Sequence, residues 1–81
     1  MEMEVKVLGT GCAKCTALEK KVKDIIQKNS IDAVVYKITD LKEIMSYGVL
    51  MTPGLVINKK VVSFGSIPKE EQILKWLNEA N

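Results

Sequence analysis

The sequence of 81 residues contains neither histidine nor arginine. Without histidine there can be no Ser-His-Asp or Cys-His catalysis, no His-ligated zinc and no imidazole acid–base chemistry. All 12 basic residues are lysines, and 10 acidic residues reduce the net charge to +2. Because arginine supplies the bidentate contacts to guanine and phosphate, and because the basic excess is small, we expect no nucleic-acid partner.

Long apolar runs are also missing, and cysteine occurs only twice. No run approaches the roughly 18 apolar residues of a membrane-spanning helix, and the acidic, alternating start of the chain does not look like a signal peptide. Two cysteines cannot close a four-ligand zinc site or staple a small secreted fold. These absences predict a cytoplasmic monomer with no membrane association, in a reducing compartment.

The composition that remains is globular, with 47% hydrophobic and 27% charged residues. A chain of this length predicts a single domain over residues 1–81. Hydrophobic periodicity predicts the order β-α-β-α-β-β-α and an α/β fold with a mixed sheet. The predicted segments are a strand at 2–8, a helix at 12–29, a strand at 33–38, a short helix capped by Thr39 or Asp40, strands at 55–57 and 61–64, and a helix that begins within 66–71.

Some finer expectations concern the two later helices. We expect Leu41, Ile44 and Met45 to form the buried stripe of the short helix. Met45 and Met51 are interpreted as core fillers, since the methionines show no metal-binding spacing. In the last helix, Ser66 is the candidate N-cap, followed by an early proline and acidic residues in the first turn.

The two cysteines, Cys12 and Cys15, form a CxxC motif where the first strand ends and the long helix begins. The free N–H groups and the dipole at a helix N-terminus favour an anion, so a Cys12 thiolate should be stabilised and should titrate below the ordinary value of about 8.5. Cys15 lies one turn further on the same face, within reach of Cys12. This placement predicts redox chemistry at Cys12 and Cys15, the candidate catalytic residues.

Four neighbouring residues are expected to support the pair. Gly9 and Gly11 allow a sharp turn that leaves Cys12 uncovered. Ala13 and Lys14 lie between the cysteines, and the Lys14 ammonium can further favour a thiolate.

A second candidate element is Thr52-Pro53, just before the third strand. Proline cannot donate a backbone hydrogen bond inside a sheet, so the start of a strand suits it whether the Thr52–Pro53 bond is cis or trans. Tyr47, in the loop that leads there, and Trp76 are expected to be packing residues.

The segments GTGCAKC, TPGLVIN and VVSFG, in this order of elements, resemble the thioredoxin fold in its glutaredoxin-sized version. The sequence is most similar to the small prokaryotic redox-active disulfide proteins. The resemblance implies the strand order 2-1-3-4, Cys12 as nucleophile, Cys15 as resolving thiol and a cis Pro53. It also implies that Thr52 offers its backbone to an extended substrate. Thioredoxins place a buried acid six residues before the first cysteine, where this chain has Lys6.

The resemblance further implies a protein thiol–disulfide oxidoreductase that acts on protein disulfides. Since the chain has no dinucleotide fingerprint or flavin site, we expect no cofactor of its own. Its electron donor would then be a thioredoxin-reductase-like flavoprotein or a small thiol.

Two alternatives remain open from the sequence. GTGCAKC is also similar to the loop of heavy-metal-associated domains, in which a CxxC pair carries copper(I). That family has a methionine two residues before the first cysteine, where Thr10 stands here, and its fold ends in a strand. The other alternative is a redox-silent interaction module that presents an edge strand at 61–64.

Overall fold

The computed structural model describes residues 3–80, in which four strands and three helices follow the predicted order. The elements are β1 (Met3–Leu8), α1 (Ala13–Lys28), β2 (Ala33–Ile38), α2 (Leu41–Ser46), β3 (Gly54–Ile57), β4 (Lys60–Phe64) and α3 (Glu70–Glu79). The strands form one mixed sheet in the order β2-β1-β3-β4. The predicted fold class and strand order are confirmed. Glu2, the first residue of the predicted first strand, lies outside the described residues.

Strand β1 lies inside the sheet, parallel to β2 and antiparallel to β3. Its last residue, Leu8, pairs with Ile38 on one side and with Gly54 on the other. The carboxyl end of β1 therefore meets the beginning of β3. As a result, the loop at 9–12 and the segment at 52–53 emerge at the same end of the sheet.

Alternation along β1 divides the apolar residues between the two faces of the sheet. Val5 and Val7 face α1 and α3 in a main core, whereas Leu8 belongs to a second core with Ile44 of α2. The buried residues of the main core are Met3, Val5, Val7, Leu18, Val22, Ile25, Leu55, Ile57, Ile73 and Leu77. In α1 the buried residues recur every three or four positions, which explains why one face of this helix packs on the sheet.

The β3–β4 hairpin turns through Asn58 and Lys59, whose φ angles are 48° and 70°. Two successive positive φ angles define a type I′ turn, which matches the right-handed twist of the strands it joins. Asn58 also ties the hairpin to β1, because its N–H donates to Glu4 O at 2.8 Å and its side-chain oxygen accepts from Glu4 N at 3.0 Å. These contacts explain how the hairpin forms although lysine rarely adopts a positive φ.

Helix α2 differs from the expectation of a three-residue buried stripe. Asp40 is its N-cap, and Ile44 is buried, but Leu41 and Met45 are 60% and 57% exposed. A helix of six residues is too short to cover the sheet with more than one of its turns. Met51 is likewise 59% exposed, so the interpretation of Met45 and Met51 as core fillers was wrong.

Helix α3 begins at Glu70, within the predicted range of 66–71 but after the candidate cap Ser66. Its N-cap is Lys69, which makes no side-chain capping bond, so the proposal of Ser66 as N-cap was wrong. Pro68 explains the delay, since a proline disfavours helical backbone in the residue before it. The Pro68 carbonyl instead accepts a hydrogen bond from Lys21 Nζ at 2.7 Å, which fastens the segment to α1. No helix within residues 3–80 is long and apolar enough to cross a membrane.

Candidate active site

The two cysteines are joined in a disulfide at the N-terminus of α1, with 5.1 Å between their Cα atoms. Cys12 is the N-cap residue and has extended backbone angles, φ −67° and ψ 165°. Its Sγ accepts a hydrogen bond from the Cys15 N–H at 3.2 Å. Sulfur therefore occupies the place that a serine or aspartate oxygen takes in ordinary helix caps.

The two sulfur-bearing residues differ sharply in exposure. Cys12 is exposed, whereas Cys15, inside the first turn of α1, is only 2% exposed. The reason is geometric, because the N-cap residue precedes the helix while the third helical residue faces the sheet. Only one of the two sulfurs can therefore meet a large partner.

The other residues of the motif are arranged around the exposed cysteine. Gly11 has a φ of 94° and provides the turn between β1 and α1. Ala13 and Lys14 are exposed in the first turn of α1, and this first turn contains no acidic residue. The positive end of the helix and the Lys14 charge thus lie close to Cys12, with no carboxylate in that turn to offset them.

Thr52 and Pro53 reach the same end of the sheet from β3. The Thr52–Pro53 peptide bond is cis, and Pro53 is buried with its carbonyl accepting from the Gly65 N–H at 2.8 Å. Thr52 is half-buried and lies beside the Cys15 sulfur, since a Cβ built on Gly9 would lie within 4 Å of both residues. Within residues 3–80 the Thr52 backbone N–H and C=O make no hydrogen bond.

One member of the site was misread in the sequence. Gly9 was expected to help the chain turn, but only Gly11 of the two has a positive φ. A Cβ on Gly9 would instead lie 2.8 Å from the Cys15 Cβ and closer still to its Sγ. A glycine three residues before a CxxC pair is the only signal in the sequence, and it does not distinguish a turn from a close contact.

Lys6 lies on the α2 face of the sheet and is bonded to a residue expected only to pack. The Lys6 ammonium donates to the Tyr47 hydroxyl at 2.8 Å, with 5.5 Å from its nitrogen to the ring centre. The hydrogen bond to Tyr47 raises the pKa of Lys6 above its ordinary 10.5. A cation that is held in this way is a poor proton acceptor, so Lys6 does not take the role of the acid found in thioredoxins.

Among residues 3–80 there is no group of three or more histidine, cysteine, aspartate and glutamate side chains that could hold a metal ion. Any metal bound here by the cysteines would therefore have two thiolate ligands from this chain, the arrangement suited to copper(I).

Comparison with known proteins relates this geometry to a family. Residues 3–78 match the family described as "Thioredoxin domain". A thioredoxin of Methanothermobacter thermautotrophicus is 33% identical over 76 residues, which cover 94% of this chain and 99% of that protein. A thioredoxin of Methanocaldococcus jannaschii is 38% identical over 73 residues, or 90% of this chain and 84% of that protein.

A solved structure is similar in fold. The crystal structure of Deadhead, a germline-specific thioredoxin of Drosophila melanogaster, superposes with a TM-score of 0.68 at 23% identity. The superposition covers 96% of this chain and 80% of that one. On the matched family and the two archaeal relatives, together with the CxxC disulfide at a helix N-terminus, the chain belongs to the thioredoxin family of thiol–disulfide oxidoreductases.

Proposed function

We propose that Cys12 is the nucleophile and Cys15 the resolving thiol in disulfide exchange with other proteins. The observation that carries this proposal is the asymmetry of the pair, an exposed N-cap sulfur joined to one that is 2% exposed. A substrate disulfide can approach Cys12 but not Cys15. The Cys15 N–H and the helix N-terminus would stabilise the thiolate that attacks.

The exchange takes two steps. The Cys12 thiolate attacks one substrate sulfur, a bond forms between the two proteins, and the other substrate sulfur leaves as a thiolate that takes up a proton. Cys15 then loses its proton and attacks the Cys12 sulfur, which releases the second substrate thiol and closes the Cys12–Cys15 disulfide. The substrate gains two electrons and two protons, and this chain loses them.

The surroundings of Thr52 favour an extended polypeptide as the substrate. Because the Thr52 backbone makes no hydrogen bond within residues 3–80, it can pair with a substrate strand laid beside Cys12. Met51, which precedes Thr52, is 59% exposed, and Phe64, which pairs with Gly54, is 54% exposed. A Cβ on Gly65 would lie 3.3 Å from Met51 Cε, so Met51 covers Gly65 and adds an apolar side to this surface.

Reducing the Cys12–Cys15 disulfide back to the dithiol requires an external donor of two electrons. The chain has no dinucleotide-binding fingerprint, so we propose that a thioredoxin-reductase-like flavoprotein or a small thiol reduces the Cys12–Cys15 disulfide. Comparing the rate of reduction by such a flavoprotein with NADPH and by glutathione would identify the donor class.

The copper(I) alternative fits the fold poorly. Heavy-metal-associated domains end in a strand, whereas the last element within residues 3–80 is the helix α3 (Glu70–Glu79), which packs Ile73 and Leu77 into the main core. The Thr52 backbone, which makes no hydrogen bond within residues 3–80, also has a use in disulfide exchange that it lacks in metal transfer.

The test is a trapping experiment with insulin as the disulfide substrate. The variant C15S should reduce no insulin catalytically but should accumulate a mixed disulfide between Cys12 and an insulin chain, visible by mass spectrometry. The matched variant C12S should accumulate none, because Cys15 is buried. Trapping by C12S, or no trapping by C15S together with tight copper(I) binding by the wild type, would refute the proposal.

A further inference from the structure

Gly9 lies directly against the resolving cysteine. It is buried at the end of β1, where its N–H donates to the Ile38 carbonyl at 2.9 Å. A Cβ on Gly9 would lie 2.8 Å from the Cys15 Cβ, nearer still to the Cys15 Sγ, and 3.9 Å from the Thr52 Cβ. The Cys15 sulfur therefore packs against the Gly9 Cα, in the space that a side chain at position 9 would occupy.

Backbone conformation does not account for a glycine at this position. The glycines with a positive φ are Gly11, Gly48 and Gly65, so the φ of Gly9 is one that alanine also adopts. Space is the constraint instead, because the hydrogen bond to Ile38 holds Gly9 in place and α1 holds the Cys15 backbone. An added methyl group could be accommodated only if the Cys15 sulfur moved away and the Cys15 Cβ shifted slightly.

We propose that Gly9 is a positioning residue for Cys15, and that its missing side chain sets the balance between disulfide and dithiol. This inference rests on the proposed function of the pair. In the oxidised form the Cys15 sulfur is tied to Cys12 and cannot leave its place above Gly9. In the reduced form the thiol can rotate about Cα–Cβ to another staggered position, which relieves the contact with the sulfur, whereas the contact with the Cys15 Cβ is the same in both forms. A side chain at position 9 therefore penalises the oxidised form more than the reduced form.

A side chain at position 9 should also affect the rate of disulfide exchange. Resolution of a mixed disulfide requires the Cys15 sulfur to reach the Cys12 sulfur, which is the position that a methyl group on residue 9 obstructs. The first step requires only that Cys12 meet the substrate. A larger residue at position 9 should thus slow the second step and leave the first almost unchanged.

The experiment compares G9A with the matched variant G54A. Gly54 is also buried at this end of the sheet, and its added Cβ would meet Leu8 and Val49 at 3.3–3.4 Å but no cysteine. The probe is glutathione, whose disulfide accepts the two electrons of the dithiol and becomes two thiols. We expect the equilibrium constant for closing the Cys12–Cys15 disulfide to fall about tenfold in G9A, a potential about 30 mV more positive, and to stay within about twofold in G54A.

Kinetics provide an independent readout. Alkylation of Cys12 in reduced G9A should proceed within about twofold of the wild-type rate, whereas a preformed mixed disulfide with glutathione should resolve about tenfold more slowly. An equilibrium constant for G9A equal to that of the wild type, or equal to that of G54A, would overturn the inference. The proposed function would survive that result, since its test is whether C15S, but not C12S, traps an insulin chain.

If G9A does not fold, stability measurements still test the inference. Replacing Cys15 by glycine removes both atoms with which the new methyl group would clash. The double variant G9A/C15G should therefore be nearly as stable as C15G alone, as judged by urea unfolding. The loss of unfolding free energy caused by Gly9→Ala should be smaller in the C15G background than in the reduced wild type. If the two losses are equal, the clash with Cys15 is not the reason for a glycine at position 9, and the inference is wrong.

Discussion

Replacing Cys12 by serine or by alanine should abolish the same chemistry but have different effects on helix α1. The Cys12 sulfur accepts the Cys15 N–H at 3.2 Å as the N-cap of this helix. A serine hydroxyl can accept the same bond, because serine is among the best N-cap residues, whereas an alanine methyl group cannot. The variants C12S and C12A therefore separate the capping role of residue 12 from its role as nucleophile.

The size of the difference follows from the lost cap. Serine to alanine at an N-cap costs about 1 kcal/mol, within a range of about 0.5–2 kcal/mol. A domain of 81 residues has a total free energy of unfolding of about 4–12 kcal/mol. For a domain of this size, 1 kcal/mol corresponds to about 4–8 °C in Tm. We expect C12A to unfold about 4–8 °C below C12S.

Thermal unfolding followed by far-ultraviolet circular dichroism measures this difference, with excess reductant present so that Cys15 forms no intermolecular disulfide. The control is the pair T16S and T16A, because Thr16 is exposed inside the same helix and caps nothing. At that position alanine should be at least as stable as serine, the reverse order. Equal Tm values for C12S and C12A would refute the capping role, and insulin reduction by either variant would refute the assignment of Cys12 as nucleophile.

Three further predictions follow from exposure, packing and charge. In the reduced protein, iodoacetamide should modify Cys12 much faster than the 2%-exposed Cys15, and peptide mapping that shows equal rates would contradict their assigned roles. Leu18 is fully buried in the main core, so L18A should lose about 2–5 kcal/mol of unfolding free energy in urea, and a loss below that range would mean that the core closes around the cavity. The hydrogen bond to the Tyr47 hydroxyl raises the pKa of Lys6 above 10.5. The contribution of this bond to folding stability is therefore complete below pH 10.5 and is lost as the pH rises through the pKa that Lys6 has in the folded protein. Y47F should lower the pKa of Lys6 in an NMR titration, and an unchanged value would show that the hydroxyl is not the cause.

Much of the fold could be predicted from the sequence because its cues are local. The apolar spacing of Leu18, Val22 and Ile25 defines α1, and its C-cap, Asn29, is the last residue of the helix predicted at 12–29. The change from alternating to helical periodicity at the CxxC motif placed Cys12 at a helix N-terminus. That single local feature already distinguishes the exposed sulfur from the buried one.

The errors in the sequence-based predictions arose where the outcome depends on how much of an element the rest of the molecule covers. Leu41 and Met45 have the spacing of a buried stripe, yet they are exposed because α2 is so short that Ile44 is its only buried residue. Ser66 is a good capping residue, but α3 begins after Lys69, where the chain is free of the restriction that Pro68 imposes.

Some residues around the disulfide could be predicted from local sequence, whereas the positions of others depend on tertiary contacts. Residue type and local spacing identified Cys12 and Cys15 without any tertiary information, because a strand-to-helix turn brings residues three apart together. The position of Thr52 beside them depends on the register of β1 against β3, in which Leu8 meets Gly54 across 46 positions of sequence. The contact between Gly9 and the Cys15 sulfur depends on how closely α1 packs on the end of β1. Pairing register and packing distance are properties of the assembled sheet and helices, and for that reason only the tertiary structure decided them.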